Sequence, residues 1–265
     1  MSGRARLQTD GERPVLRLER RLKHAPEKVW HAITDPAELE HWFPAKVDVE
    51  LRAGGAIRFT FPGEDSTTTG RVVTADPPRE FTFVWNDDTL RWLITADGDG
   101  SLLEFTHTFG RGDPAIAKLA GGRTAAGWDV CLDALAARLA GQDFEQPQEW
   151  HERMVSYVEE FGLDAGEVLA DGTIRFRRDL GWKPEAELRP LLPDEPGWRL
   201  VHDPLEGNRV EFTEAAGDDV PAQLARRHEQ LDKLFAATHG VTLPDWPPER
   251  VEAVKKQYAE HPTQG

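Results

Sequence analysis

Gly127-Trp128-Asp129-Val130-Cys131-Leu132-Asp133-Ala134-Leu135-Ala136-Ala137-Arg138-Leu139 is the stretch whose reading decides the fold of this chain. Trp128, Leu132, Leu135 and Leu139 recur at steps of four, three and four, which places them on one stripe of a helix. The spacing predicts a long helix that begins near Pro114 and ends in this stretch. Its apolar stripe needs a cover, and the preceding residues supply one. Leu103, Phe105, His107 and Phe109 alternate with Leu102, Glu104, Thr106 and Thr108, the pattern of a strand with one apolar face.

Working backwards, the same alternation runs through the chain. Leu16, Leu18, Arg20 and Leu22 alternate with Arg17, Glu19, Arg21 and Lys23 as a first strand. Pro26 opens a helix whose buried side is Val29, Trp30 and Ile33. Asp35 is placed to cap a second short helix, Pro36 to His41, which leads into Trp42-Phe43-Pro44. Strand and turn signals then follow one another. Val47, Val49 and Leu51 alternate, Ala53-Gly54-Gly55 turns the chain, and Ile57, Phe59 and Phe61 alternate again. Further strands cover Gly70 to Thr74, Phe81 to Trp85 and Leu90 to Thr95, with Asn86-Asp87-Asp88 as a hairpin loop. One strand, two short helices, six strands and a long helix make a curved antiparallel sheet that the last helix alone can plug.

Composition bounds the rest. At 265 residues, 39% hydrophobic and 30% charged, the chain has the make-up of a soluble globular protein. Neither end carries the apolar run of a signal peptide or a membrane span, so a cytoplasmic location is expected. The formal net charge of −15 disfavours nucleic-acid and anionic-membrane partners. It is unevenly spread: 18 basic residues stand against 21 acidic ones up to Gln142, and 14 against 26 from Asp143 onward. The single cysteine, Cys131, excludes an internal disulfide and reads as a buried thiol. No phosphate loop, metal-ligand spacing or nucleophile with its base is written in the chain, so no cofactor or metal and no catalytic residue is expected.

Several local motifs occur in an order that resembles the START-like superfamily, also called the helix-grip or birch-pollen-allergen fold. They are Ala25-Pro26-Glu27-Lys28-Val29-Trp30, Thr34-Asp35-Pro36 with Trp42-Phe43, Leu51-Arg52-Ala53-Gly54-Gly55, Gly70-Arg71-Val72-Val73, Pro77-Pro78, Trp85, and Gly127-Trp128 with Leu132-Asp133-Ala134-Leu135. Within the superfamily they are most similar to the branch related to the C-terminal domain of the activator of the 90-kDa heat-shock chaperone ATPase. The resemblance implies a hydrophobic cavity between sheet and long helix that binds lipids or other apolar small molecules, and in some relatives cyclase or hydrolase chemistry. Asp129 departs from the pattern, which favours His after Gly-Trp, and a carboxylate there would change what the cavity accepts.

The expected architecture is therefore α+β: a flexible leader over 1–13, a helix-grip domain over 14–142, a helical extension over 143–164, and a smaller acidic α+β region over 165–265. That last region echoes the first. Leu16 to Leu22 with Pro26-Glu27 lines up with Ile174 to Leu180 with Pro184-Glu185. Trp92 and Glu104-Phe105-Thr106 line up with Trp198 and Glu211-Phe212-Thr213, and Leu132-Asp133-Ala134-Leu135 with Leu231-Asp232-Lys233-Leu234. A truncated second copy without the middle strands, ending in a helix from about Pro221 to Ala237, is one reading; chance likeness of short periodic patterns is the other.

Alternation also supplies the candidate ligand-binding residues. Phe59, Phe61, Phe83, Trp85, Trp92, Phe105 and His107 stand on the sheet, Trp128, Asp129 and Leu132 on the helix, and Trp42 and Phe43 at the mouth. Aromatics facing inward are equally a plain core. His107 is a polar anchor or a satisfied core histidine, and Arg20 or His107 could neutralise Asp129. Three functions fit. The first is non-catalytic binding of an apolar small molecule, with Trp85, Phe105, His107 and Trp128 lining the cavity. The second is a co-chaperone-like module acting on a chaperone ATPase, contacting its partner or a second copy through the acidic second half. The third is a cyclase- or hydrolase-type enzyme using His107 and Asp129, which must then lie within hydrogen-bond reach.

Overall fold

In the computed structural model, which describes residues 3–63, 67–147 and 150–260, the chain divides into two units, Met1–Trp150 and His151–Gly265. Residues 1–2 of the expected leader, 148–149 of the extension and 261–265 of the acidic region lie outside the described residues.

The first unit runs β1 (Arg6–Asp10), β2 (Arg13–Leu22), α1 (Pro26–Thr34), α2 (Pro36–Leu39), β3 (Lys46–Val49), β4 (Ala56–Thr60), β5 (Thr67–Asp76), β6 (Glu80–Trp85), β7 (Asp88–Asp97), β8 (Gly100–Thr108), α3 (Pro114–Leu119) and α4 (Gly121–Ala140). Eight strands form one antiparallel sheet in the order β1-β2-β8-β7-β6-β5-β4-β3, and α4 packs on β2 and α1. This is the α+β helix-grip arrangement. The alternating residues of β8 define its inner face: Leu103, Phe105, His107 and Phe109 are all buried.

Two expectations need correction. The leader holds a strand, because Arg6–Asp10 pairs with β2 from Arg6 opposite Arg17 to Asp10 opposite Arg13. Its residues are almost all exposed, as suits a polar edge strand, so no apolar period announces it. The long helix is also broken. Asp113 caps α3 by accepting from Ala115 N at 2.8 Å, the helix stops at Ala120, and α4 starts at the buried pair Gly121-Gly122. It ends at Gly141, left-handed at φ 67°.

The second unit runs α5 (Trp150–Glu160), β9 (Glu167–Val168), β10 (Thr173–Gly181), α6 (Glu185–Leu188), β11 (Trp198–Asp203), β12 (Gly207–Ala215), α7 (Val220–Thr238) and α8 (Pro248–Glu260). Its sheet order is β11-β12-β10-β9. Phe176 lies directly opposite Phe212 on antiparallel neighbours, as Leu18 lies opposite Phe105 in the first unit. Trp198 faces Phe212 as Trp92 faces Phe105, and Val168 faces Ile174 as Leu7 faces Leu16. One buried ion pair follows the same correspondence. Arg20 on β2 reaches Asp133 on α4 at 3.4 Å, and Arg178 on β10 reaches Asp232 on α7 at 3.1 Å. In both arginines Nε is buried without a hydrogen-bond partner. A truncated second copy requires this set of pairings.

Candidate functional site

A small apolar cleft opens in the first unit between its two short helices and the sheet. The roof is built locally. Pro26 starts α1 at a position where its missing N–H is not needed, and the Asp35 carboxylate starts α2 by accepting from Ala37 N at 2.8 Å. The segment after α2 folds back because the Trp42 indole N–H donates to Ala32 O at 2.9 Å, which buries the ring. Glu38 on α2 is tied to α4 by a two-pronged pair with Arg138 at 2.9 and 3.1 Å. That hydrogen bond from Arg138 holds the Glu38 carboxyl below its ordinary range.

Ile33, Leu39, Trp42 and Phe43 line the roof; Val47 on β3, Ile57 and Phe59 on β4, Phe81 and Phe83 on β6 and Trp92 on β7 line the floor. Strand alternation explains the floor: Phe81 sits opposite Trp92 across the β6–β7 ladder, so both rings project to one face. The walls nearly meet. About 20 Å³ is left in which the centre of a water-sized molecule can sit, so the cleft has room for about one water.

Phe43 closes it. This ring is half-buried and lies 5.8 Å from Phe59 on the sheet and 6.0 Å from Trp128 on α4, bridging roof, floor and long helix. Trp128 in turn packs 4.3 Å from Phe105 and 5.6 Å from Trp92. These rings fill the space between sheet and long helix, so the cleft lies beside that space, under α1 and α2.

Behind the aromatic wall a chain of hydrogen bonds orients His107. The Trp128 indole N–H donates to His107 Nδ1 at 3.0 Å, so that nitrogen carries no proton, and Nε2 is the one that donates to Asp88 Oδ2 at 3.0 Å. Asp88 is fixed by Gly110 N, which donates to its other oxygen at 2.8 Å. Sequence explains the anchorage. Asn86 and Asp87, at φ 49° and 69°, form the two-residue turn between β6 and β7 and leave Asp88 in the strand, in phase with Leu90 and Trp92. Gly110 can approach because it has no side chain; a Cβ there would stand 1.8 Å from Asp87 O.

The structure thus sorts the sequence candidates. Trp42, Phe43, Phe59, Phe83 and Trp92 line the cleft. Phe105, His107 and Trp128 stand behind its wall. Trp85 and Phe61 stack on each other at 5.8 Å, half-buried, with the Trp85 indole N–H donating to Thr68 Oγ1 at 3.0 Å. Leu132 is fully buried on α4. Asp129 pairs with Arg20, which also reaches Asp133 and donates to Gly3 O at 2.9 Å. Both His107 ring nitrogens are already bonded, so neither is left for Asp129. Ile33, Leu39, Val47, Ile57, Phe81 and Asp88 escaped the sequence reading as site residues. For Asp88 the signal was its phase with Leu90 and Trp92, hidden by a turn read one residue too long.

Cys131, expected as a buried thiol, is half-buried on α4, and burial pushes its thiol up to about 12. Among the described residues, no three metal-ligating side chains converge, and no helix is long and apolar enough to cross a membrane.

Residues 23–140 match the family described as Activator of Hsp90 ATPase homolog 1-like protein. No curated protein matches the chain. Among solved structures it is similar to a conserved protein of unknown function from Enterococcus faecalis, EF2215, at 17% identity over 60% of this chain and 90% of that one, with a TM-score of 0.52. It is also similar to CalU16 from Micromonospora echinospora, at 21% identity over 61% and 95% and a TM-score of 0.46. A third is Ms6760 from Mycobacterium smegmatis, at 17% identity over 53% and 99% and a TM-score of 0.42.

Proposed function

Residues 23–140 form a START-like domain of the activator of Hsp90 ATPase homolog 1-like family, and from that premise we propose that this domain binds a small apolar molecule, without catalysis, in the seat now filled by Phe43. The observation that carries the reading is the position of that ring. Phe43 is the half-buried member of an otherwise buried aromatic set, and among the described aromatic rings it alone touches both Phe59 on the sheet floor and Trp128 on the long helix. Swinging it out would join the cleft of about 20 Å³ to the space beside Trp128 and offer a flat ligand aromatic faces on two sides. The fully bonded His107 supports binding over chemistry, because a general base needs a free nitrogen.

Native mass spectrometry of the freshly purified protein, followed by organic extraction, tests this. A released apolar compound supports the reading and names its class. Titration with 1-naphthol, followed by tryptophan fluorescence, covers a protein purified empty. Saturable quenching in the wild type that tightens in Phe43→Ala is expected, and no binding by either form sinks the proposal.

The near-filled cleft also favours a second reading, a co-chaperone-like module that acts through its surface on a chaperone ATPase, as the family description suggests. Its test is the ATPase rate of a 90-kDa heat-shock chaperone with and without this protein. Stimulation that weakens with added salt would fit an acidic contact surface, and an unchanged rate would remove this reading.

A further inference from the structure

The second unit's sheet repeats half of the first, strand for strand: β11-β12-β10-β9 follows the order β7-β8-β2-β1. In the first unit the outer side of β7 is taken by β6. Among the described residues, no strand takes the corresponding side of β11.

Register shows which groups that side presents. Thr213 N donates to Gly197 O at 3.1 Å, and alternation along an antiparallel ladder then gives Arg199, Val201 and Asp203 the backbone bonds to Glu211, Arg209 and Gly207 of β12. The N–H and C=O groups of Trp198, Leu200 and His202 point out of the sheet edge. Natural edges of this kind are blunted by proline, a bulge or a run of like charge, and β11 has none of these. On the face away from the core it carries Arg199 and Asp203 on either side of Val201.

That arrangement is its own complement. When a two-fold axis passes beside Val201, an antiparallel second β11 places Val201 opposite Val201 and Arg199 opposite Asp203 twice. Leu200 and His202 then exchange their outward backbone bonds. Each strand keeps its alternation, so both Trp198 rings stay in their own cores. Two four-stranded sheets become one of eight strands, the size of the first unit's sheet. The charges are available. Arg199 is 64% exposed and holds Glu211 only at 3.4 Å, and Asp203 uses one oxygen for the turn at Leu205 and Glu206 while the other lies 4.0 Å from Arg209. We infer that the partner of this edge is a second copy of the chain, and that the protein is a dimer joined through β11. The acidic excess from Asp143 onward opposes this approach, but at physiological ionic strength repulsion is screened beyond about 8 Å.

Sedimentation equilibrium of the full chain at physiological ionic strength should give twice the 29.8 kDa monomer mass. His202→Pro removes an outward N–H and leaves every backbone bond to β12 in place, losing only the side-chain bond from His202 to Asn208, so it should sediment as monomer with an unchanged circular dichroism spectrum. Val201→Cys should form a disulfide-linked dimer under mild oxidation, because opposed residues at a non-hydrogen-bonded site have Cα atoms about 4.5 Å apart, within disulfide range. Arg199→Cys, which would face Asp203, should not. A monomeric wild type, a dimer that survives His202→Pro, or equal cross-linking of the two cysteine variants would each overturn the inference.

Discussion

The indole N–H of Trp128 on α4 is donated to Nδ1 of His107 on β8, 3.0 Å away, in a site where both residues are more than nine-tenths buried. One hydrogen bond thus joins the long helix to the sheet and fixes the tautomer of the imidazole. Trp128→Phe keeps an aromatic ring but leaves that nitrogen buried without a donor. The expected cost is about 1–3 kcal/mol, the desolvation penalty of an unsatisfied polar atom, read as a lowered urea midpoint. A double-mutant cycle with His107→Phe should recover part of it, since removing both partners orphans nothing on this side. Strict additivity would show that the bond contributes no coupling.

Arg20 and Arg178 make equivalent demands on the two units. Each is 2–3% exposed and faces carboxylates on the helix packed over its strand. Arg20→Met and Arg178→Met take away the buried guanidinium of each cluster. Breaking a buried pair usually costs about 3–5 kcal/mol, and less where other basic groups stay close, as Arg250 at 3.6 Å and His228 at 3.7 Å do beside Asp232. Asp129 and Asp232 retain 17% and 16% exposure, so about 3 kcal/mol is expected for Arg20→Met in urea unfolding and about 2 kcal/mol for Arg178→Met. A loss below the error of the measurement for Arg178→Met, beside a large one for Arg20→Met, would break the parallel between the units.

Acid should loosen both units through specific pairs. Hydrogen bonds from Arg138 and Arg227 hold the Glu38 and Glu214 carboxyls below their ordinary value of 4.5. A depressed carboxyl stabilises the folded state above its unfolded pKa, and the contribution is lost as pH falls through the lower folded value. The urea midpoint should therefore decline as pH drops below about 4.5. In Glu38→Gln the first unit's decline should be shallower, because the variant has no carboxyl there to protonate. Equal slopes for wild type and variant would mean that this pair does not hold the cleft roof to α4.

Cys131 offers a stability readout without any mutation. With burial holding its thiol near 12, iodoacetamide at neutral pH should leave the native protein unmodified and label it in urea in step with loss of tryptophan signal. Fast labelling of the native protein would show that the half-buried site on α4 admits the reagent without unfolding.

The elements that alternate or recur by period were legible from the residues alone. Leu16 to Leu22 and Leu103 to Phe109 read directly as strands with one apolar face each, and the structure makes them neighbours, with Leu18 opposite Phe105. What escaped depends on contacts rather than period. Arg6–Asp10 is a strand because β2 offers it an edge, and its own residues face water on both sides. Asp88 looked like loop because a turn's length is set by backbone angles at Asn86 and Asp87 that side-chain chemistry only hints at. The cleft was expected under the long helix because Trp128 carries an inward apolar stripe. Phe105 and Trp92 already occupy that space, and no local pattern reveals that Phe43 spans from Phe59 to Trp128. The pairing of Phe176 with Phe212 was legible only because the first half of the chain supplied a template.

The hydroxyl of Tyr258 accepts from Gly166 N at 2.9 Å and lies 3.0 Å from His228 Nδ1, so α8 closes the second unit across 92 residues of chain. During synthesis the two units therefore mature on different clocks. The first has its sheet and helix within the first 150 residues and can fold while the ribosome is still at work on the rest. In the second, Gly166 waits for its partner until Tyr258 has emerged. Over that interval β10 and β12 can pair, but the unit stays unclasped and the face of α7 that α8 will cover is open to whatever chaperones attend the nascent chain.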